Sequence, residues 1–270
     1  MDKILVIVGT LLITNSLSAG NVTPKDQILE AYSNMQYPQA RRLAYKHSKL
    51  PESRLVKALC AVFDRKKQDL GYGLPELKNI YNDKNLNSKL RLQAGLAYAR
   101  AAQTLQMREG VYPIADGIDF NAIYDSIINT YPDSPEACFA VVYQAQSLFE
   151  SSDKKNNLKG ISILEKFLTN YKGPKNFLAA INILIADQYI ISDANYRKAT
   201  KYMLNAYKSG ISNPRTREIV LYRIGRTYDL KLKDKKSAQK YYRMFIKKYP
   251  NSSSTPIIKR YLREMGVQNG

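Results

Sequence analysis

Tyr124–Ser134 reads YDSIINTYPDS and Tyr242–Ser252 reads YRMFIKKYPNS, and a weaker third version, LEKFLTNYKGP, stands at Leu164–Pro174. The closing tyrosines are Tyr131, Tyr171 and Tyr249, so the first step is 40 residues and the next distance is two steps of 39. A fixed period of this size marks a repeat architecture and has to be read before any single motif. Stacked repeats build an extended surface rather than an enclosed pocket. The phrase therefore points to recognition before it points to chemistry.

The unit is most complete near the C-terminal end. Leu221, Ile224, Gly225 and Tyr228 are followed by Ala238, Tyr242, Phe245 and Pro250, with apolar or small residues three and four apart in each half. That spacing is one face of a helix. Lys231–Lys236, KLKDKK, is the polar turn between the halves. Pro250 ends the second helix, because it lacks a backbone N–H and restricts Tyr249 before it. Upstream, Tyr189, Ala199, Met203 and Ala206 recur at the same offsets, and Phe149, Gly160, Leu164 and Phe167 fit with a longer turn. Gly95 and Tyr98 close a first helix, and Phe120, Tyr124, Ile127 and Pro132 belong to a second, with an insertion between them. Two earlier pairs, at 24–48 and 51–84, are helical by pattern without the signature. The expected architecture is all-α, about six antiparallel helix pairs and a capping helix near 254–265. It divides into a leader at 1–20, weakly marked helix pairs at 21–86 and the repeat array at 87–270.

These positions resemble the tetratricopeptide repeat, in which W-x2-L-G-x2-Y on one helix is followed by A-x3-F and a final P on the next. Leu221 stands at the Trp position, and Ile224, Gly225 and Tyr228 follow at that family's spacing. Ala238, Tyr242 and Pro250 complete the pattern with a turn one residue longer. The resemblance implies a right-handed α-solenoid, in which Gly225 and Ala238 let paired helices approach closely. The Tyr-Pro-x-Ser endings further resemble the envelope branch of the family, the BamD-like outer-membrane assembly lipoproteins and the YbgF-like periplasmic proteins.

In tetratricopeptide arrays the first helix of each pair lines the concave face. Mapped onto the last repeat, the exposed positions of that helix are Ile219, Tyr222, Arg226 and Asp229, and upstream Tyr143 and Asp187 face the same way. These residues are the expected contacts of a peptide or partner domain, an Arg beside an exposed Tyr being a pair enriched at interfaces. The insertion, MREGVYPIADGIDF at 107–120, has two readings. It is a loop on the binding face with Tyr112 as a contact, or Val111, Tyr112 and Ile114 fold back over the third helix pair.

Charge adds a second expectation. The chain carries 42 Lys and Arg against 23 Asp and Glu, a net charge of +19, and about +11 of it falls after residue 210. Lys235, Lys236, Lys240, Arg243, Lys247, Lys248, Lys259, Arg260 and Arg263 are the main contributors. Such a field favours anionic partners, so an adaptor for anionic envelope polymers or lipid head groups is the alternative function, and an accessory to a cell-wall enzyme is the third. Nucleic acid is not expected of an exported chain without a nucleic-acid module.

Export is read from the start of the chain. Lys3 precedes an apolar run, Ile4–Ile13, and a polar stretch leads to Ser18, Ala19 and Gly20, the plan of a secretory signal peptide cleaved near residues 19–20. The run is about half of the ~20 residues that span a bilayer. No cysteine lies near the cleavage point, so the lipid anchor of BamD-like proteins is not expected. Cys60 and Cys138 are expected as buried free thiols. No catalytic site, metal site or cofactor is expected. His47 is the only histidine, GYGLPE from Gly71 reads as a turn leading into a helix, and Asp116 and Asp119 lie in the insertion without a partner acid.

Overall fold

The computed structural model describes residues 23–64, 66–107, 113–150 and 153–266. Among them are thirteen α-helices and no strand: α1 Pro24–Ser33, α2 Tyr37–Lys46, α3 Pro51–Phe63, α4 Leu70–Asn82, α5 Ser88–Gln106, α6 Phe120–Thr130, α7 Pro135–Phe149, α8 Lys154–Asn170, α9 Lys175–Asp193, α10 Tyr196–Ser209, α11 Pro214–Leu230, α12 Lys235–Lys248 and α13 Thr255–Glu264. The first twelve form six consecutive pairs and α13 is the cap, as the spacing predicts. The leader at 1–20 and the contact expected at Tyr112 lie outside the described residues. Two compact units divide the chain between Tyr143 and Gln144, inside α7.

In the first unit each helix from α1 to α6 packs on the next, and the first helices of successive pairs, α1, α3 and α5, lie against one another. Pairs stacked in this order are the packing of an α-solenoid. The core is largely aliphatic: Ile28, Leu55, Leu59, Leu74, Leu77 and Ile80 interleave with Ala40, Ala44, Ala58, Ala94 and Ala97, with Tyr32 and Tyr98 buried among them. Small residues bring the helices close. A Cβ on Gly73 of α4 would run into Val62 and the carbonyl of Ala58 on α3.

One helix start departs from the sequence reading. GYGLPE is not a turn: α4 begins at Leu70, where the Asp69 side chain accepts the Tyr72 N–H, and carries Pro75 inside it. The cap fixes the start, and burial of Leu74, Leu77 and Ile80 offsets the hydrogen bond that Pro75 cannot make. Val111 and Tyr112 lie outside the described residues, and the described part of the insertion folds back through Ala115 rather than Ile114. A single 3-10 turn, Pro113–Ala115, buries Ala115 in the core, and Gln106 Nε2 donates to the carbonyls of Ala115 at 2.7 Å and Ile118 at 2.8 Å. Ile114 points outward, 43 % exposed.

The second unit stacks α8 through α13 in order, each helix on its neighbour. Its packing is aromatic and periodic. Tyr189 of α9 stacks on Tyr202 of α10 with centroids 5.8 Å apart, and 39 residues later Tyr228 of α11 stacks on Tyr241 of α12 at 5.5 Å. The closing tyrosines of the repeated phrase do the same thing twice: Tyr171 lies on Phe167 and Tyr249 on Phe245, both at 5.2 Å. The small positions behave as their spacing implies. A Cβ on Gly225 would sit 2.7 Å from the Tyr242 ring, one on Gly160 would meet Phe149, and Ala238 is fully buried.

Every second helix from α6 onward starts the same way. Asp119, Asp153, Asn195 and Asp234 accept backbone N–H groups from Ala122, Lys155, Lys198 and Ser237 respectively. Each thereby satisfies a donor that the first helical turn leaves without a partner.

Candidate functional site

Two faces of the second unit stand out, one made by first helices and one by second helices. On the first, Asp187 of α9 is ion-paired with Arg223 of α11, tying neighbouring first helices together. By helical register Ile191 lies one turn after Asp187, Ile219 one turn before Arg223 and Leu230 two turns after it, and they are 74 %, 48 % and 43 % exposed. Ile191 and Leu230 are 39 residues apart and occupy the same place in successive repeats.

Of the four positions expected to be open on α11, only Ile219 is. Tyr222 is half-buried, edge-on to Phe245 with centroids 6.2 Å apart, and hydrogen-bonded with Tyr261 of the cap. The Arg226 guanidinium lies 4.6 Å from the centre of the Tyr261 ring, and Asp229 accepts the Tyr242 hydroxyl at 3.0 Å. These three side chains hold α11 against α12 and α13. The cap, which a template taken from an inner repeat does not contain, turns Tyr222 and Arg226 inward, and Asp229 is taken by Tyr242 of its own pair.

Tyr143 corrects the same expectation in the first unit. It is 3 % exposed, stacked on Phe139 at 6.3 Å and covered by the Arg100 guanidinium at 4.6 Å, and burial pushes its hydroxyl well above the usual range. It is a core residue between α5 and its neighbours, not a surface contact. Arg100 itself is 7 % exposed; it donates to Gln103 Oε1 at 2.8 Å, and its Nε has no acceptor. Gln103 also accepts from Tyr124 at 2.9 Å and donates to the Tyr143 carbonyl at 2.9 Å.

On the second-helix face the basic residues are where their spacing puts them. Lys235, Lys236, Lys240, Arg243, Lys247 and Lys248 of α12 and Lys259, Arg260 and Arg263 of α13 are all exposed. Lys236, Lys240, Arg243 and Lys247 follow one another at four, three and four residues, one stripe on the side of α12 opposite the buried Ala238, Tyr242 and Phe245. Lys248 and Arg260 are partly engaged, Lys248 over the Tyr207 ring at 5.1 Å and Arg260 with Glu264 at 3.6 Å.

Sequence reasoning missed a second basic row. Arg197, Lys201 and Lys208 of α10 are exposed, and with Leu204, Asn205, Tyr228, Leu232 and Asp234 they line a groove of about 420 Å³. The signal was present, since the 39-residue step carries them onto Lys236, Lys240 and Lys247. The row ends at α8, where Glu165 accepts from the hydroxyls of Tyr189 at 2.9 Å and Tyr202 at 2.6 Å. Burial, and then that carboxylate, push the Tyr189 hydroxyl up to about 12.

The residues weighed for chemistry have structural places. Asp119 caps α6, and His47 ends α2, its carbonyl accepting the Ser53 hydroxyl at 2.7 Å. Cys60 and Cys138 are both buried and neither is in a disulfide among the described residues, and burial pushes the Cys60 thiol up to about 12. Among the described residues no cluster of His, Cys, Asp and Glu is arranged to hold a metal, and no helix is long and apolar enough to cross a membrane.

Residues 220–252, which run from α11 through α12 to the closing Tyr-Pro-x-Ser, match the family model of the tetratricopeptide repeat. The match supports the family resemblance on the repeat whose glycine, alanine and aromatic contacts are described above, and repeats of this family mediate protein–protein interaction. None of the curated proteins matches the chain.

Proposed function

We propose that the chain is a non-catalytic binding scaffold of the cell envelope, taking a peptide segment or partner domain on the first-helix face of its C-terminal repeats. One observation carries this reading: Ile191, Ile219 and Leu230 are exposed in helical register with the Asp187 and Arg223 pair on α9 and α11. Apolar anchors framed by charge are the composition of an interface with a buried centre and a polar rim. Helices packed on both neighbours hold such anchors with little ordering left to do on binding. Tyr222, Arg226 and Asp229 frame this face through their hold on α12 and the cap. The envelope setting is supported by the apolar run Ile4–Ile13 with its small-residue ending, and by the likeness of the Tyr-Pro-x-Ser phrases to those of BamD-like and YbgF-like proteins.

The test is affinity capture from an envelope extract by residues 21–270, set beside an Ile219→Asp/Leu230→Asp variant. Both substituted side chains are exposed, so circular dichroism should report unchanged helicity. Retention of a defined protein by the parent and its loss from the variant is the expected result. Equal retention by both forms rejects the face. Export has its own check, because N-terminal sequencing of the native protein should begin near residue 20, and an intact Met1 end on the bulk of the protein overturns it.

A further inference from the structure

The two basic rows of the second unit repeat one pattern on successive second helices. Arg197, Lys201, Leu204 and Lys208 on α10 become Lys236, Lys240, Arg243 and Lys247 on α12 when 39 residues are added, so seven of eight corresponding positions are cationic. All seven are exposed and none forms an ion pair among the described residues. The inner contacts keep the same register. Lys201 lies 5.9 Å from the Tyr202 ring centre and Lys240 lies 5.6 Å from that of Tyr241. The preceding second helix breaks the pattern, with Leu158, Ser162, Glu165 and Thr169 at the matching places. The rows are therefore a property of the last two repeats, not of the fold.

Such rows act against the helices that carry them. Arg197 with Lys201, Lys236 with Lys240 and Arg243 with Lys247 are like charges four apart, and Lys240 with Arg243 is a like pair three apart, arrangements that destabilise a helix. A merely soluble surface mixes acids among its lysines; here Asp234 is the acid in the groove wall, its carboxylate held on the Ser237 N–H at the start of α12, and Glu165 of α8 shares a second cavity with Lys201 and Lys208 but is taken by the hydroxyls of Tyr189 and Tyr202. The groove runs between α10 and the turn into α12, so a ligand chain lying in it meets the α10 row along one wall.

We propose that these rows bind a linear polymer of phosphate groups along the second-helix face. Charge is the only feature the rows repeat. Leu204 is the single apolar residue in eight positions, too few anchors for a protein segment, whose binding energy concentrates in buried side chains. Five of the seven cations are lysines, point charges suited to phosphate rather than to planar, two-pronged grips on carboxylates. Tyr202 and Tyr241 are already stacked on Tyr189 and Tyr228, so these rings are not free platforms for nucleobases. Along α10 the row from Arg197 to Lys208 rises about 16 Å, enough to meet several successive phosphates. This inference stands apart from the proposed protein-binding face, because it uses the opposite helices and none of the same residues.

The experiment titrates the full mature chain with fluorescently labelled long-chain inorganic polyphosphate, with tripolyphosphate, oligothymidylate, polyglutamate and anionic phospholipid vesicles as parallel probes. Lys201→Glu/Lys208→Glu and Lys240→Glu/Lys247→Glu each remove one row; Lys159→Glu/Lys166→Glu on α8 makes the same charge change outside them. Long polyphosphate should bind with strong salt dependence, and each row variant should weaken it about tenfold and flatten the slope of log affinity against log salt by roughly one to two. The α8 variant should bind like the parent. An equal loss in the α8 variant shows that net charge alone is at work and overturns the proposal. So does tripolyphosphate binding as tightly as the long chain, or polyglutamate, oligothymidylate or vesicles binding more tightly than polyphosphate.

Discussion

The two compact units reach the same helix-pair design with different packing materials. Residues up to Tyr143 are held mainly by aliphatic side chains set among alanines, with Leu55, Leu59, Leu77 and Ile80 nearly or completely buried beside Ala40, Ala44, Ala58 and Ala97, and their buried rings, Tyr32, Tyr124 and Tyr143, show no 39-residue step. Residues from Gln144 onward are held by rings in register, Tyr189 on Tyr202, Tyr228 on Tyr241 and Phe245 on Tyr249. Alanines and leucines fit one another in many ways, so they leave no fixed spacing behind. Stacked rings need a partner at a set distance, and a small residue opposite, so they recur at 39. The repeat signature is thus a record of aromatic packing rather than of the fold itself.

The contrast can be broken first at its largest side chains. Tyr242→Ala in α12 empties a fully buried site that also bonds Asp229, and should cost about 3–5 kcal/mol in urea denaturation. Leu77→Ala in the aliphatic unit should cost about 2–5 kcal/mol, its neighbours being small enough to close partly on the void. A loss below about 1 kcal/mol for Tyr242→Ala would mean that the rings do not carry the C-terminal unit. Gly225→Ala comes next: the new methyl meets the Tyr242 ring, and a destabilisation of about 1–3 kcal/mol is expected, against a gain of up to ~1 kcal/mol if helix propensity alone mattered.

Arg100 sharpens the comparison from the other side. It is a buried cation with no ion pair among the described residues and an Nε without an acceptor. Arg100→Met keeps its length over the Tyr143 ring and removes the buried charge, so thermal unfolding should show stability unchanged or raised by about 1 kcal/mol. A loss of more than about 2 kcal/mol would show instead that its bond to Gln103 organises the network with Tyr124.

The smallest effect concerns acid. Asp26 is held below the usual carboxylate range by its bonds with Thr23, Asp193 by those with Lys154 and Asn195, and Asp234 by those with Ser237. A depressed carboxylate contributes stability that is complete above its unfolded pKa and is lost as pH falls through the folded one. Stability should therefore be level through neutral pH and start to decline only below about pH 4. The Asp234→Asn variant, which keeps the cap without the charge, should show a shallower decline in the same titration.

Much of the architecture was legible beforehand because turns and small residues act locally. Six pairs and a cap follow from amphipathic runs punctuated by Pro132 and Pro250. Pro75 misled the reading because it sits inside α4, where burial of Leu74 and Leu77 outweighs it. The first-helix contacts were legible as positions and not as surfaces. Tyr222, Arg226 and Asp229 lie on the predicted side of α11, but Tyr261 and Tyr242 occupy them, and that depends on how another helix docks. Tyr143 failed for a related reason, since Arg100 and Phe139 close over it. The basic residues of α12 are exposed because the buried stripe of Ala238, Tyr242 and Phe245 lies opposite them.

The Asx residues that open α6, α8, α10 and α12 also bear on how fast the chain finds its structure. Each cap bonds a backbone group only two or three residues ahead, and the rings that close a pair lie within about one repeat of each other. Little loop entropy has to be lost before such contacts form, so a helix pair can nucleate where it stands and recruit the next. Refolding of the C-terminal repeats should be limited by the docking of neighbours, with α11 and α12 as the natural place for the structure to begin.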